Sequence, residues 1–119
     1  MKVSKRVYAL VGPQATREVR LRTAGGLEEL SPAERLTSLF ILSYDKDEEI
    51  KRTARENFVG FPRRELLKAL MEPVEPMILK KLAHIHSKEE AILKLILMNP
   101  SATEEVFREV AGVAPEGFL

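Results

Sequence analysis

Ser31-Pro32-Ala33-Glu34-Arg35-Leu36-Thr37-Ser38-Leu39-Phe40-Ile41-Leu42-Ser43 is the stretch that decides the fold. It holds a helix start and a helix face in one segment. A serine side chain accepts from the orphan amides of a first turn, proline suits the first helical position, and a glutamate three residues on reaches back to the serine amide. Leu36, Leu39, Phe40 and Leu42 or Ser43 then recur at helical spacing.

The same grammar continues downstream. Asp45-Lys46-Asp47-Glu48 is a second acidic start and leads into Ile50, Ala54 and Phe58, spaced by four. Gly60-Phe61-Pro62 ends that helix, with glycine expected in the left-handed conformation and proline blocking continuation. Leu66, Leu67, Leu70 and Met71 mark a third helix. Glu72-Pro73-Val74-Glu75-Pro76 breaks the chain before Met77, Ile78, Leu82, Ala83 and Ile85. Ser87-Lys88-Glu89-Glu90 reads as a further capping box. It opens Ala91-Ile92-Leu93-Lys94-Leu95-Ile96-Leu97-Met98, apolar nearly all round and therefore expected to be buried on most sides. Asn99-Pro100-Ser101-Ala102-Thr103 stops that helix and caps the next, which carries Val106, Phe107 and Val110 and closes at Gly112.

Upstream, Val3 to Val11 and Ala15 to Ala24 read as two N-terminal helices, the second ending at Gly25-Gly26. No segment alternates with period two over a convincing length. The expected fold is all-α, with short helices stacked as a HEAT/armadillo-like solenoid fragment or as a compact helical bundle. The expected core is Leu36, Phe40, Ile50, Ala54, Leu66, Leu70, Ile78, Leu82, Ile92, Leu95, Ile96, Val106 and Val110.

An internal repeat organises these helices. Under a shift of 42 residues, from Ser31 to Pro73, Leu36 falls on Ile78, Phe40 on Leu82, Asp45 on Ser87, Glu48 on Glu90, Ile50 on Ile92, Ala54 on Ile96 and Asn57 on Asn99. A shift of 40 aligns Leu66, Leu67 and Leu70 with Val106, Phe107 and Val110. The division is then 1–30, N-terminal basic helices; 31–72 and 73–114, two three-helix repeats; and 115–119, a tail. A competing shift of 28 places residues 77–83 on 105–111. Ala114-Pro115-Glu116 looks like the first turn of a further helix. The chain is therefore expected to be a fragment of a longer array or to end in a docking surface.

Two motifs carry a resemblance. Asp45-Lys46-Asp47-Glu48-Glu49-Ile50-Lys51-Arg52-Thr53-Ala54 resembles the acidic turn and following "(E)-V-R-x-x-A" that open helices in HEAT-like arrays. Asn99-Pro100-Ser101-Ala102-Thr103-Glu104-Glu105-Val106 is similar to the "N-P-x-T-P-x-x-V/L" turn of leucine-rich-repeat-variant helical proteins. Together they cover roughly residues 31–112 and resemble bacterial α-helical repeat proteins that mostly lack an assigned activity. The variant family repeats at about half this period. The motifs contain capping and packing residues and no catalytic ones.

Composition narrows the function classes. Of 119 residues, 19 are Lys or Arg and 18 Asp or Glu, a net charge of +1. That balance gives no overall attraction to nucleic acid or anionic membrane. Cysteine is absent, which excludes a disulfide scaffold and a thiolate-ligated metal. No run approaches the ~18 apolar residues of a membrane span, and no signal peptide is evident, so a cytoplasmic protein is expected. His84 and His86, the two histidines, stand two residues apart and would project from opposite sides of a helix, so no metal site is expected. The pairs Glu28-Glu29, Glu48-Glu49, Glu89-Glu90 and Glu104-Glu105 lie at helix starts, where the helix dipole explains them. Without a nucleophile elbow or phosphate-binding loop, no enzyme and no cofactor are expected.

Charge is uneven along the chain. Residues 1–30 carry +3 and residues 73–119 carry −2. Arg17 and Arg20 share a helical face, and Lys51 and Arg55, like Arg64 and Lys68, are spaced by four. The leading expectation is a non-enzymatic protein-interaction module or scaffold that holds a protein partner or neighbouring domains of a longer chain. The alternative is a nucleic-acid-binding helical repeat domain using Arg17, Arg20 and the basic ridge within residues 51–68. Phe118 and Leu119 are candidate docking residues, with weak self-association through that end and no membrane partner.

Overall fold

A computed structural model describes residues 1–118. These residues form eight helices: α1 (Lys5–Val11), α2 (Arg17–Ala24), α3 (Pro32–Leu42), α4 (Glu48–Val59), α5 (Arg63–Ala69), α6 (Pro76–Ile85), α7 (Glu90–Met98) and α8 (Glu104–Val113). No strand occurs among them. The fold is all-α, and no helix among the described residues is long and apolar enough to cross a membrane.

Local chemistry sets most helix starts. Ser31 accepts from the Glu34 amide at 3.2 Å while the Glu34 carboxylate accepts from the Ser31 amide at 3.1 Å, closing the capping box. Such a cap stabilises a helix by about 1 kcal/mol. Ser4, Thr16, Asp47 and Thr103 cap α1, α2, α4 and α8 through their side chains. Pro32 and Pro76 occupy the first positions of α3 and α6.

Several helix boundaries depart from expectation; α8, for one, runs through Gly112 to Val113, with Ala114 as its C-cap. Ser87 does not cap α7: the cap residue is Glu89, with no side-chain capping bond. The Glu89 carboxylate is engaged by His86 Nδ1 at 2.6 Å, and Ser87 lies in the turn between. Gly60 ends α4 at φ −91°, outside the left-handed region. Glycine suits it for another reason, since a Cβ there would lie 3.2 Å from the Glu56 carbonyl oxygen.

The chain forms two compact units, Met1–Leu66 and Leu67–Leu119. In the first, α1 packs on α2 and α3, α2 also on α3 and α4, and α3 on α4. Helices next but one to each other run parallel. Arg17 at the start of α2 meets Asp47 and Glu49 at the start of α4, and Asn57 near the end of α4 donates to the Ala24 carbonyl at the end of α2 (2.8 Å). Likewise Ser4, which caps α1, donates to Glu34 in the first turn of α3 at 3.2 Å. The interior is Val7, Ala24, Leu36, Leu39, Leu42, Ile50, Ala54, Phe58 and Leu66. Phe40, buried, packs edge-on against Tyr44 and tilted against Phe58 at 5.5 and 5.8 Å.

In the second unit α6, α7 and α8 pack on one another. Lys80–Glu105 (3.2 Å) and His84–Glu109 (2.7 Å) join α6 to α8 in the same order along both helices, so these too are parallel. Asn99 ends α7 as a buried hub. Its Nδ2 donates to the Leu70 and Glu72 carbonyls at 3.0 and 2.8 Å, and its Oδ1 accepts from the Val74 amide at 3.2 Å. Ile78, Leu79, Leu82, Ala83, Ile92, Leu93, Ile96, Val106 and Val110 are fully buried, each large side chain among them contributing about 1.5–3 kcal/mol.

α7 is less enclosed than its composition suggests. Ile92, Leu93 and Ile96 form one buried stripe against α6 and α8, whereas Leu95 and Leu97 are half-buried and Ala91, Lys94 and Met98 are exposed. Leu95 is therefore not a fully buried core residue, because the two neighbouring helices cover a single side. Met71 departs in the same way: α5 ends at Ala69, and Met71 sits exposed in the following turn. Where a further helix turn was suggested, Pro115 to Phe118 form a hydrogen-bonded turn, Phe118 N–H donating to the Pro115 carbonyl at 3.1 Å.

Candidate interaction surface

The N-terminal arginines face acids of their own unit. Thr16 caps α2, which fixes Arg17 in its first turn and Arg20 one turn on. Arg17 Nε contacts Asp47 Oδ2 at 2.6 Å and its Nη2 contacts Glu49 Oε1 at 2.7 Å. Arg20 Nε meets Asp45 Oδ2 at 3.0 Å, with its Nη1 on the Ala15 carbonyl at 2.9 Å. These contacts raise the Arg17 pKa above its ordinary value, Asp47 first. Reciprocally, Arg17 and then the α4 amides it caps hold the Asp47 carboxyl below the usual carboxylate range. The shared face of Arg17 and Arg20 is real, and it clamps α2 to the α3–α4 turn.

The second basic set is divided among several tasks. Lys51 bridges Glu48 at 3.2 Å. Arg55 Nε donates to the Ser43 carbonyl at 3.1 Å, a cation at the C-terminus of α3 where the helix dipole favours it. Arg64 and Lys68 are exposed on α5. His84 is exposed on Glu109, and His86 is packed at the end of α6 with its Nε2 buried and without a hydrogen-bond partner among the described residues. Among the described residues no group of three metal-ligating side chains converges. Phe118 is half-buried, and Leu119 lies outside the described residues.

The structure brings forward side chains that charge patterns do not reveal. Among the described residues, the large apolar side chains exposed in the second unit are Met71, Met77, Met98 and Phe107, at 76, 56, 77 and 47 % exposure. They come from one end of that unit. Asn99 fixes the α7 C-terminus, and Met98 with it, against residues 70–74 around Met71. Met77 lies in the first turn of α6, and parallel α8 brings its own first turn, with Phe107, to the same end. Met77 and Phe107 occur in helical apolar sets in the sequence, beside the core positions Ile78 and Val106, and spacing does not mark them as exposed.

Clefts open in the first unit between its described residues. One, of about 450 Å³, is lined by Val11, Gly12, Pro13, Arg20, Ile41, Tyr44, Asp45 and Lys46. Another, of about 340 Å³, lies where the ends of α2 and α4 meet α3, and Arg35 and Asn57 are its polar side chains.

Comparison with protein-family models, curated proteins and solved structures finds no match to this chain.

Proposed function

We propose that this chain is a non-enzymatic protein-interaction module built on stacked helical hairpins. Parallel packing between next-but-one helices is the pattern of helical repeat arrays, whose extended surfaces hold partners. The helices that stack begin roughly 30 residues apart, which favours the shorter of the two repeat shifts, 28 over 42.

The observation that carries the reading is the gathering of Met71, Met77, Met98 and Phe107 at one end of the second unit. Methionine is flexible and polarizable and is favoured on surfaces that accept amphipathic helices. The partner proposed is thus a protein segment that presents an apolar helical face. The nucleic-acid reading is weaker, because Arg17 and Arg20 are held by Asp45, Asp47 and Glu49, and a phosphate would have to displace them.

The test places a photo-crosslinking residue at Met77 or Met98, and as a control at Arg52, in the full chain within cells that make it. A discrete adduct common to Met77 and Met98, absent at Arg52 and abolished by Met71→Lys, is expected. Adducts that are indistinguishable at the three positions would overturn the reading. Submicromolar binding to duplex DNA at physiological salt, lost in Arg17→Glu/Arg20→Glu, would put the nucleic-acid function in its place.

A further inference from the structure

Arg35 differs from the tightly bonded basic residues of the first unit. Arg17, Arg20, Arg22 and Lys51 have carboxylate partners. Arg6 and Arg55 donate to the carbonyls of Glu29 and Ser43. Arg35 is half-buried and lines a cleft, yet its contact is one long bond, 3.5 Å from Nη2 to the Leu30 carbonyl. A guanidinium has five donors in a planar fork, so most of these are unanswered among the described residues. Arg35 also sits close to the N-terminus of α3, where a cation opposes the dipole of its own helix. Gly25 and Gly60, the C-caps of α2 and α4, line the same cleft as Arg35.

The remaining lining matches a small amphiphile. Leu39, Phe61 and Pro62 supply apolar surface, and among the described residues no acidic side chain lines the cleft. Gly26, at φ +75°, would carry a Cβ with nothing within 4 Å, so backbone is open to close approach. Asn57 gives one amide hydrogen to Ala24 and retains a second donor. A planar monoanion suits this set. The fork of Arg35 pairs with both oxygens of a carboxylate, and as the one cationic side chain among the described residues lining the cleft it leaves a doubly charged phosphate half-neutralised.

We propose that this cleft binds a carboxylate bearing an apolar substituent, with Arg35 as the bidentate anchor and Asn57 as the second donor. The carboxylate comes from either a peptide C-terminus or a free branched-chain acid. The proposal stands on the first unit alone and does not depend on the partner surface at Met71, Met77 and Met98.

The test follows amide signals of the isotope-labelled full chain during titration with N-acetyl-leucine, isovalerate, N-acetyl-leucinamide and inorganic phosphate. Saturable shifts centred on Gly25, Gly26, Gly60 and Phe61 are expected with one or both carboxylates. Tighter binding of N-acetyl-leucine assigns a peptide terminus, and tighter binding of isovalerate a free acid. The amide should bind roughly tenfold to a hundredfold more weakly, as loss of a charged hydrogen-bonding pair implies, and phosphate should not compete. Arg35→Gln should weaken carboxylate binding by a similar factor. Arg35→Lys, which keeps charge and loses the fork, should fall between. Equal binding of acid and amide, unchanged binding in both Arg35 variants, or no saturable shift at the cleft would overturn the proposal.

Discussion

The two units hold parallel helices together by different means. In the first, charge does much of the fastening: Arg17 and Arg20 reach from α2 to the carboxylates that start α4 and shape the turn before it. In the second, the interior is aliphatic, and the polar fastening is concentrated in Asn99, which is buried and answers four backbone groups, the Ser101 amide among them. The ion pairs between α6 and α8 are exposed on their surface, where such pairs contribute little. The difference teaches where each unit is fragile. The first has a polar clamp open to pH, and the second has a hub that tolerates no substitution of its chemistry.

The largest effect should come from the second interior. Ile96 is fully buried in α7. Ile96→Asp would bury a carboxylate with no partner at a cost of several kcal/mol, at least ~3, and should abolish the dispersed amide signals of α6–α8. An unchanged melting temperature would remove Ile96 from the core.

Next come the two asparagines that the 42-residue shift superimposes. Asn99→Ala strands the Leu70 and Glu72 carbonyls and the Val74 amide and should cost about 2–4 kcal/mol. Asn57 is exposed and makes one bond, to Ala24, so Asn57→Ala should cost roughly 0.5–1.5 kcal/mol. Equal losses in denaturant melts would erase the contrast between hub and clamp.

Acidification probes the clamp. The Asp47 carboxyl is held low chiefly by Arg17, and the Glu34 carboxyl chiefly by the Ser31 amide. Carboxyls depressed in the folded state contribute stability that is fully present above their unfolded values, about 3.9 for Asp and 4.3 for Glu, and is lost as pH falls through the folded values. Melting temperature should therefore drop below about pH 4. Asp47→Asn should start lower and show a shallower acid slope; an unaltered slope would mean that Asp47 is not part of the acid response.

The smallest effect is expected at the exposed methionine end. Met98→Lys should leave stability within about 0.5 kcal/mol of the parent chain. A loss of 2 kcal/mol or more would place Met98 in the interior and withdraw it from the partner surface.

Helix starts and stops were legible because they depend on contacts only a few residues apart. Ser31-Pro32-Ala33-Glu34 closes its capping box with atoms from residues 31 and 34. Thr103 caps α8 as the Asn99–Thr103 turn implied. Buried stripes at Leu36, Ile50, Ala54, Ile78, Leu82, Ile92, Ile96, Val106 and Val110 were equally readable, since helical geometry turns spacing into a face. The exceptions are also local in origin. Ser87 and Glu89 both offered an oxygen near the start of α7, and His86 engaged the carboxylate of Glu89.

What tertiary structure alone decided is the partner of each polar group and the open side of each apolar one. Arg17 and Asp47 are separated by thirty residues, and their meeting depends on α2 and α4 running parallel. No spacing rule encodes that contact, so the basic face reads in sequence as free charge. Leu95, Met77 and Phe107 obey helical periodicity and yet are left half-buried or exposed, because their neighbours cover a single side. Arg35 belongs to the same class. In sequence it is one more arginine after a capping box; the meeting of two helix ends around it makes it the cation of a cleft. Capping and periodicity act over one or two turns and are written in the chain, whereas the pairing of charges and the exposure of faces depend on which helices pack together.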